Sequence, residues 1–316
     1  MSLSFSPSRK APVPPLSSPG IYIDATKPRL EQMPTRIGLI AGEGNFPVTL
    51  AKAARSEGVA VVVFGIKGYA SEELRQHADE MHFLKISELS KLIELSRGTG
   101  VRHLVLAGRV PHGILLLKQL TLDPRVIRLL ATLPNKKADS LLKRAVDELE
   151  GEGFTVLNST MFLKSCMPEE GILTPRVRPT EDILRDIEFG YPLAKELGRL
   201  DIGQTIAVKN QVVVAVEALE GTDNLIKRCG AISGAGEGVV FIKVSKPRQD
   251  MRFDVPVVGL TTIKHLVAAR AAALCVTAGS SLFFDRKEAV ELAEKSHISI
   301  VARADRDSGA TPVPAT

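Results

Sequence analysis

Apolar positions along the chain fall into short dense runs separated by longer amphipathic stretches, and this alternation sets the first expectation. Arg36-Ile37-Gly38-Leu39-Ile40-Ala41 reads as a buried strand, residues 46–56 as a helix, and residues 59–64, rich in β-branched side chains, as the next strand. That is one βαβ unit. The pattern repeats more loosely through a short strand at 81–84, a helix at 87–97 and a strand at 101–107 that ends at Gly108. Strands alternating with helices in this way predict a parallel sheet covered by helices on both faces.

Residues 114–150 read as helical, with an apolar stripe that includes Leu115, Leu120, Ile127, Leu141 and Val146, and a strand follows at 154–157. A Pro-containing stretch, Thr174-Pro175-Arg176-Val177-Arg178-Pro179, precedes a helix that Thr180 can cap, with Glu181 and Asp182 in its first turn. Beyond it, strands are expected at 205–209, 212–217, 239–244 and 274–277, and helices at 224–229, 263–272 and 287–296. The chain therefore reads as two α/β units, a first domain over 35–170 and a second over 171–303. Residues 1–34 hold seven of the 19 prolines and six serines without apolar periodicity, so they are expected to be a flexible extension that folding does not need. Residues 304–316 read as a flexible tail.

Composition narrows the function classes. The 316 residues are 44% hydrophobic and 24% charged, enough apolar material for real cores. A net charge of +5 over this length, 4% aromatics and no tryptophan give little for stacking on nucleic acid, so a dedicated nucleic-acid binder is not expected. Cys166, Cys229 and Cys275 are odd in number and widely spaced, which implies neither a disulfide framework nor a zinc site and suggests the cytoplasm. No apolar run approaches the ~18 residues of a membrane span, and the N-terminus lacks the apolar core of a signal peptide. Any membrane contact is expected to be peripheral.

Gly42-Glu43-Gly44-Asn45-Phe46-Pro47 follows the first strand and opens the first helix, where a dinucleotide loop would present amides to phosphate. Pro47 stands where the third glycine belongs, and the second strand ends without a carboxylate for a ribose, so an NAD site is disfavoured. A tight turn without ligand is the plain alternative. Chemistry concentrates instead in three segments at strand ends: Leu200-Asp201-Ile202-Gly203-Gln204, Glu217-Ala218-Leu219-Glu220-Gly221-Thr222-Asp223, and the polar loop from Lys246 to Pro256. Asp223, Asp254, Glu217 and Glu220 offer oxygen ligands for a hard divalent cation, and Lys246, Arg248 and Arg252 offer positive charge for phosphate. Each residue also has a structural reading. Asp223 or Thr222 fits a helix N-cap, Asp254 a surface ion pair, and Asp201 and Gln204 a turn. His103 and His265 read as core-edge residues rather than ligands, and His112 is left unassigned.

Taken together, Gly38-Leu39-Ile40-Ala41-Gly42 with Pro47, Asp201-Ile202-Gly203-Gln204, Glu217 with Glu220-Gly221-Thr222-Asp223, and Lys246-Pro247 through Gln249-Asp250, Arg252-Phe253-Asp254, Pro256, Gly259 and Thr262-Ile263 resemble the LpxI-type UDP-2,3-diacylglucosamine pyrophosphatases of lipid A assembly. The resemblance runs from Arg36 to about Val301. It implies a Rossmann-like N-terminal domain, a second α/β domain and a cleft between them for the lipid nucleotide. It further implies magnesium or manganese as cofactor, with UMP and 2,3-diacylglucosamine 1-phosphate as products. On this chain it points to Asp254 and then Asp223 as catalytic residues and metal ligands. Gly42, Gly44, Asn45, Phe46, Pro47, Gly108, Asp139, Gln204, Thr222, Lys246, Gln249, Arg252 and Thr262 are the implied substrate contacts. The implied location is cytoplasmic with transient contact at the inner membrane, and self-association is left open. Residues 114–117 and 127–130 are candidates for an acyl groove, with helical core packing as the alternative. The chain departs from the family at Lys136-Lys137-Ala138-Asp139, where relatives tend to carry Gly-Asp-Asp. A sensor without turnover and a hydrolase of another nucleotide diphosphate are the competing readings.

Overall fold

The computed structural model describes residues 33–110, 123–133, 138–232, 237–247 and 249–306. The expectations for the segment before Met33, His112, residues 114–117, Lys136, Lys137, Arg248, the Asp139 side chain and the tail beyond 306 lie outside the described residues.

The first unit forms as its pattern predicts. Strand β1 (Arg36–Ala41) pairs in parallel with β2 (Ala60–Ile66), Ile37 opposite Val61 and Leu39 opposite Val63, and helix α1 (Phe46–Ser56) crosses between them. Strand β3 (Glu80–Leu84), helix α2 (Leu89–Gly98), strand β4 (His103–Ala107), helices α3 (Pro124–Ala131) and α4 (Ala138–Gly151) and the short strand β5 (Thr155–Val156) follow. The sheet order is β3-β2-β1-β4-β5, all parallel. Alternate residues face opposite sides. Ile37, Leu39, Val61, Val63 and Val105 pack on α1, while Val62, Phe64 and Leu104 pack on α2, α3 and α4.

The second half holds strand β6 (Gly171–Ile172), helix α5 (Glu181–Arg199), hairpin β7 (Thr205–Lys209) and β8 (Val212–Val216), helix α6 (Thr222–Gly230), strands β9 (Val240–Lys243) and β10 (Val257–Val258), and helix α7 (Leu260–Ala268). Strand β11 (Ala273–Thr277), the short strand β12 (Leu282–Phe283), helix α8 (Arg286–Lys295) and strand β13 (Ser299–Arg303) complete it. Its sheet runs β6-β13-β11-β9-β7-β8, with β9, β11 and β13 parallel and β6, β7 and β8 antiparallel to their neighbours. Thr180 caps α5 by accepting from the Ile183 amide at 3.3 Å. Ile187, Tyr191 and Ala194 of α5 cover one face, and α6, α7 and α8 cover the other.

Some boundaries differ from the sequence reading. The helix expected at 263–272 begins at Leu260, with Gly259 as its cap, and stops at Ala268 because the chain turns at Arg270, φ +51°. Strand β13 and the two-residue strands β6, β10 and β12 were not expected, and neither was the 3₁₀ turn Glu72–His77. β10 and β12 pair in parallel and carry Leu282, with the following Phe284, into the core on the α1 side of the first sheet. The described residues from Thr35 onward accordingly form one compact body. Among the described residues no helix is long and apolar enough to cross a membrane.

Close packing fixes a glycine in β1. A Cβ on Gly38 would lie 2.7 Å from Leu104, 2.8 Å from Phe64 and 2.8 Å from Val101, side chains locked in the core under α2. Gly38→Ala is expected to cost about 1–3 kcal/mol in urea unfolding by overpacking this face. A change within about 0.5 kcal/mol, the range of surface substitutions, would show that the face has room to yield.

Candidate functional site

The chain leaves β1 toward β2 but reaches β5 from β4, so β1 and β4 flank the switch point of the first sheet, where open α/β folds place ligands. The two strand ends are stitched together. The Gly42 amide donates to Ala107 O at 2.8 Å, and Glu43 and Arg109 exchange backbone bonds of 2.8 and 3.0 Å while their side chains pair at 3.2 Å. A Cβ at Gly42 would lie 2.6 Å from Arg109 O, and one at Gly108, φ +90°, would lie 2.8 Å from Pro47 Cγ. Pro47, the departure from a dinucleotide fingerprint, is thus the residue that closes this turn against Gly108. Gly44 and Asn45 stay exposed, and the Phe46 ring packs on Phe284 at 5.6 Å.

The long polar loop of the second half lies across this same edge. The Ser159 amide donates to Met251 O at 3.0 Å, and the Ser159 hydroxyl sits 2.6 Å from both Leu106 O and Arg252 O. Phe253 joins the core under α2, α3 and α4, whereas Val255 and Val257 join the core under α1. The segment therefore straddles the sheet edge, with Asp254 between the two anchors. Asp254 accepts an ion pair from Lys246 at 3.2 Å, and Lys246 also reaches Asp201 at 3.1 Å. The Arg252 guanidinium is taken by Asp250 at 2.7 Å and Glu150 at 2.9 Å, which raises its pKa and draws the Asp250 carboxyl below its ordinary range.

At the end of the second sheet, Gly221 with φ +80° starts α6, so neither Thr222 nor Asp223 serves as its cap. The Thr222 hydroxyl instead turns inward. It donates to Glu217 Oε1 at 3.0 Å and accepts from Lys243 Nζ at 2.9 Å, with Thr205 Oγ1 at 3.2 Å. Lys243 also donates to Val257 O at 2.9 Å. Glu217 is 6% exposed and Lys243 7%. Burial pushes the Lys243 ammonium below the usual lysine range, while Glu217, Asp223 and Asp254 pull it back up. Asp223 is half exposed, accepts from Thr262 Oγ1 at 3.3 Å and lies 3.5 Å from His265 Nδ1.

Among the described residues, three buried polar atoms here lack a hydrogen-bond partner: Gln204 Oε1, Gln249 Nε2 and His265 Nδ1, the last with only Asp223 beside it. Gln204 is held by its amide on Glu217, and Gln249 by its own Oε1 on the Lys246 amide at 2.9 Å. Buried polar groups without partners are costly in a finished core and are expected where a ligand completes the site. Among the described residues no three His, Cys, Asp or Glu side chains gather as a metal cluster.

Comparison with known proteins covers both halves. The LpxI N-terminal domain model matches residues 36–166, and the LpxI C-terminal domain model matches residues 169–301. The chain belongs to the LpxI family. A curated LpxI protein, the UDP-2,3-diacylglucosamine pyrophosphatase LpxI of Caulobacter vibrioides, is 33% identical over 270 residues, 82% of this chain and 94% of that protein. The expected family membership is borne out. Solved structures are more distant. The biotin carboxylase domain of Hydrogenobacter thermophilus 2-oxoglutarate carboxylase is 13% identical, with TM-score 0.26 over 66% of this chain and 43% of its own. An isoflavone reductase is 9% identical, with TM-score 0.26 over 86% and 79%. Likeness at that level says nothing further about this LpxI chain.

The structure brings Asp254, Lys246 and Asp201 into one cluster and Asp223, Thr262 and His265 into another, with Lys243 under the influence of both aspartates. Lys243 escaped the sequence reading because it ends an apolar strand, yet a lysine closing a buried run is itself a signal. His265, read as a core-edge residue, stands beside Asp223. Because the folded pKa of Asp250 lies below that of the unfolded chain, its stabilisation is present above about pH 4 and lost as pH falls through the folded value. Asp250→Asn is therefore expected to lower Tm at neutral pH and to flatten its fall below pH 4. Parallel acid curves for variant and wild type would contradict this.

Proposed function

We propose that this chain hydrolyses the pyrophosphate of UDP-2,3-diacylglucosamine, giving UMP and 2,3-diacylglucosamine 1-phosphate for lipid A assembly. The observation that carries the reading is the match to a protein of that name over 94% of its length, together with LpxI domain models that span residues 36–166 and 169–301 and so take in every loop of the site. The lipid nucleotide lies in a cleft between a Rossmann-like domain of residues 35–170 and a second α/β domain of residues 171–303. Supporting this, Phe46 of the glycine loop and Val255, next to Asp254, pack in one apolar cluster. The diacyl substrate resides in a bilayer, so turnover includes transient contact with the cytoplasmic face of the inner membrane.

The residues present fit a divalent cation of the magnesium class. Such an ion keeps much of its water and takes one or two carboxylates together with substrate phosphate oxygens. Asp223, in the first turn of α6, and Asp254, in the loop after β9, are partly exposed carboxylates, and both pull on the one Lys243 ammonium. They would hold Mg2+ or Mn2+, which when bound neutralises charge on the phosphates. Lys246, with Lys243 behind it, adds positive charge that is already in place before the reaction and needs no reorganisation. The amides and Asn45 of the glycine loop, with Gln204 and Gln249, orient the nucleotide. Water then attacks the β-phosphorus, the bond to the bridging oxygen breaks, and UMP leaves with that oxygen.

Two measurements test the reading. Purified protein is expected to release UMP from UDP-2,3-diacylglucosamine and to lose that activity in EDTA; Asp254→Asn should retain the fold and lose at least about 100-fold in turnover. Full activity in either case would remove the carboxylate and cation roles. No release of UMP at all would favour a sensor without turnover. Hydrolysis in H₂¹⁸O is expected to label the sugar phosphate, and label in UMP alone would refute attack at the β-phosphorus.

A further inference from the structure

Lys243 is an expensive residue to keep where it is. It is 7% exposed at the end of β9, and a buried ammonium without compensation is costly enough that such groups normally give up their charge. Here the bonds that compensate it lead outward to two different segments. One goes to Thr222 Oγ1, the first residue of α6 and the neighbour of Asp223. The other goes to Val257 O in β10, three residues beyond Asp254. Thr222 is in turn fixed by Glu217, whose second carboxylate oxygen accepts the Gln204 amide at 3.3 Å. A single side chain thus joins the end of β9, the start of α6 and the loop that straddles the first sheet.

We propose that Lys243 is a positioning residue for the reaction: it ties the segment bearing Asp223 to the segment bearing Asp254, so that the two carboxylates meet the pyrophosphate in one fixed arrangement. The assignment rests on the pyrophosphatase reading for its chemistry and on the hydrogen bonds alone for the tie. It also accounts for Thr222, which the sequence suggested as a cap or substrate contact and which the structure turns inward toward this lysine. A buried lysine joined to a glutamate through one threonine hydroxyl is a poor route to stability, since an apolar pair of similar volume does as well or better. It does supply a unique geometry across three elements, and misplacing a reacting group by about 1 Å can cost about 100-fold in rate.

The test separates geometry from stability. Lys243→Met alone leaves Glu217 buried without its cation and is expected to destabilise the protein. The double variant Lys243→Met, Glu217→Gln removes both charges and should melt close to wild type. In that folded double variant kcat for UDP-2,3-diacylglucosamine is expected to fall about 100-fold with KM within about threefold. Backbone hydrogen exchange should rise about tenfold or more over residues 222–226 and 254–258, with the rest of the second sheet unchanged. Thr222→Val, which cuts the tie to α6 together with the Glu217 bond and keeps the tie to β10, should move both readouts in the same direction by about tenfold, and it decides the matter if the double variant does not fold. Wild-type kcat with wild-type exchange in whichever variant folds would overturn the proposal. Absence of UMP release from the wild type would instead remove the pyrophosphatase reading, and the exchange data would still decide whether the tie exists.

Discussion

The site depends on how the polar loop after β9 crosses the carboxyl edge of the first sheet. Ser159 clasps the loop at Met251 and Arg252, Phe253 enters the core on one face of the sheet, and Val255 enters the core on the other. A residue between two side chains anchored on opposite faces has little freedom, and that residue is Asp254. The constraint comes from burial, which is non-directional, but its result is directional, because the chain turns here, with the Phe253 and Asp254 amides both donating to Asp250 O, and so sends Phe253 and Val255 to different faces. Phe284 and Leu282 strengthen it by joining the same core as Phe46, so the glycine loop and the loop that carries Asp254 share one apolar foundation.

Around this foundation the charged side chains engage one another. Arg252 is consumed by Asp250 and Glu150 and acts as a brace for the loop, holding its base against α4. Lys246 spans Asp201 and Asp254, and Lys243 is sunk between Thr222 and Val257 with Glu217 nearby. Exposed pairs of this kind contribute little to stability, and buried ones contribute little more than an apolar substitute. Under the proposed function, their concentration at the ends of two sheets prepares fixed charge for a polyanionic substrate.

Much of the fold was legible because several strands are buried on both faces and read as continuous apolar runs. β1, β2 and β7 were found within a residue or two, and α1 and the Thr180 cap of α5 were found directly. The two-residue strands β10 and β12 carry no period to read, although their pairing brings Phe284 to Phe46. α7 was placed three residues late because the alanines at 268–269 and 271–273 prolong a helical pattern that the left-handed turn at Arg270 ends. Within the site, carboxylates at strand ends such as Asp223 and Asp254 stood out in polar segments. Lys243 did not, since its neighbours Val240, Phe241 and Ile242 make it look like the trailing end of a strand. Thr222 was misleading for another reason, since Gly221 with its positive φ takes the capping position and frees the hydroxyl for the interior.

The central claim is that the ends of both sheets meet one substrate, the first through the glycine loop and the second through the loop that carries Asp254. Hydrogen exchange of the full chain, with and without a UDP-2,3-diacylglucosamine analogue whose bridging oxygen is replaced by methylene, tests it directly. The account predicts that the analogue slows exchange over residues 42–49 and over residues 249–258 together, at one ligand concentration. Protection confined to either segment alone would contradict it.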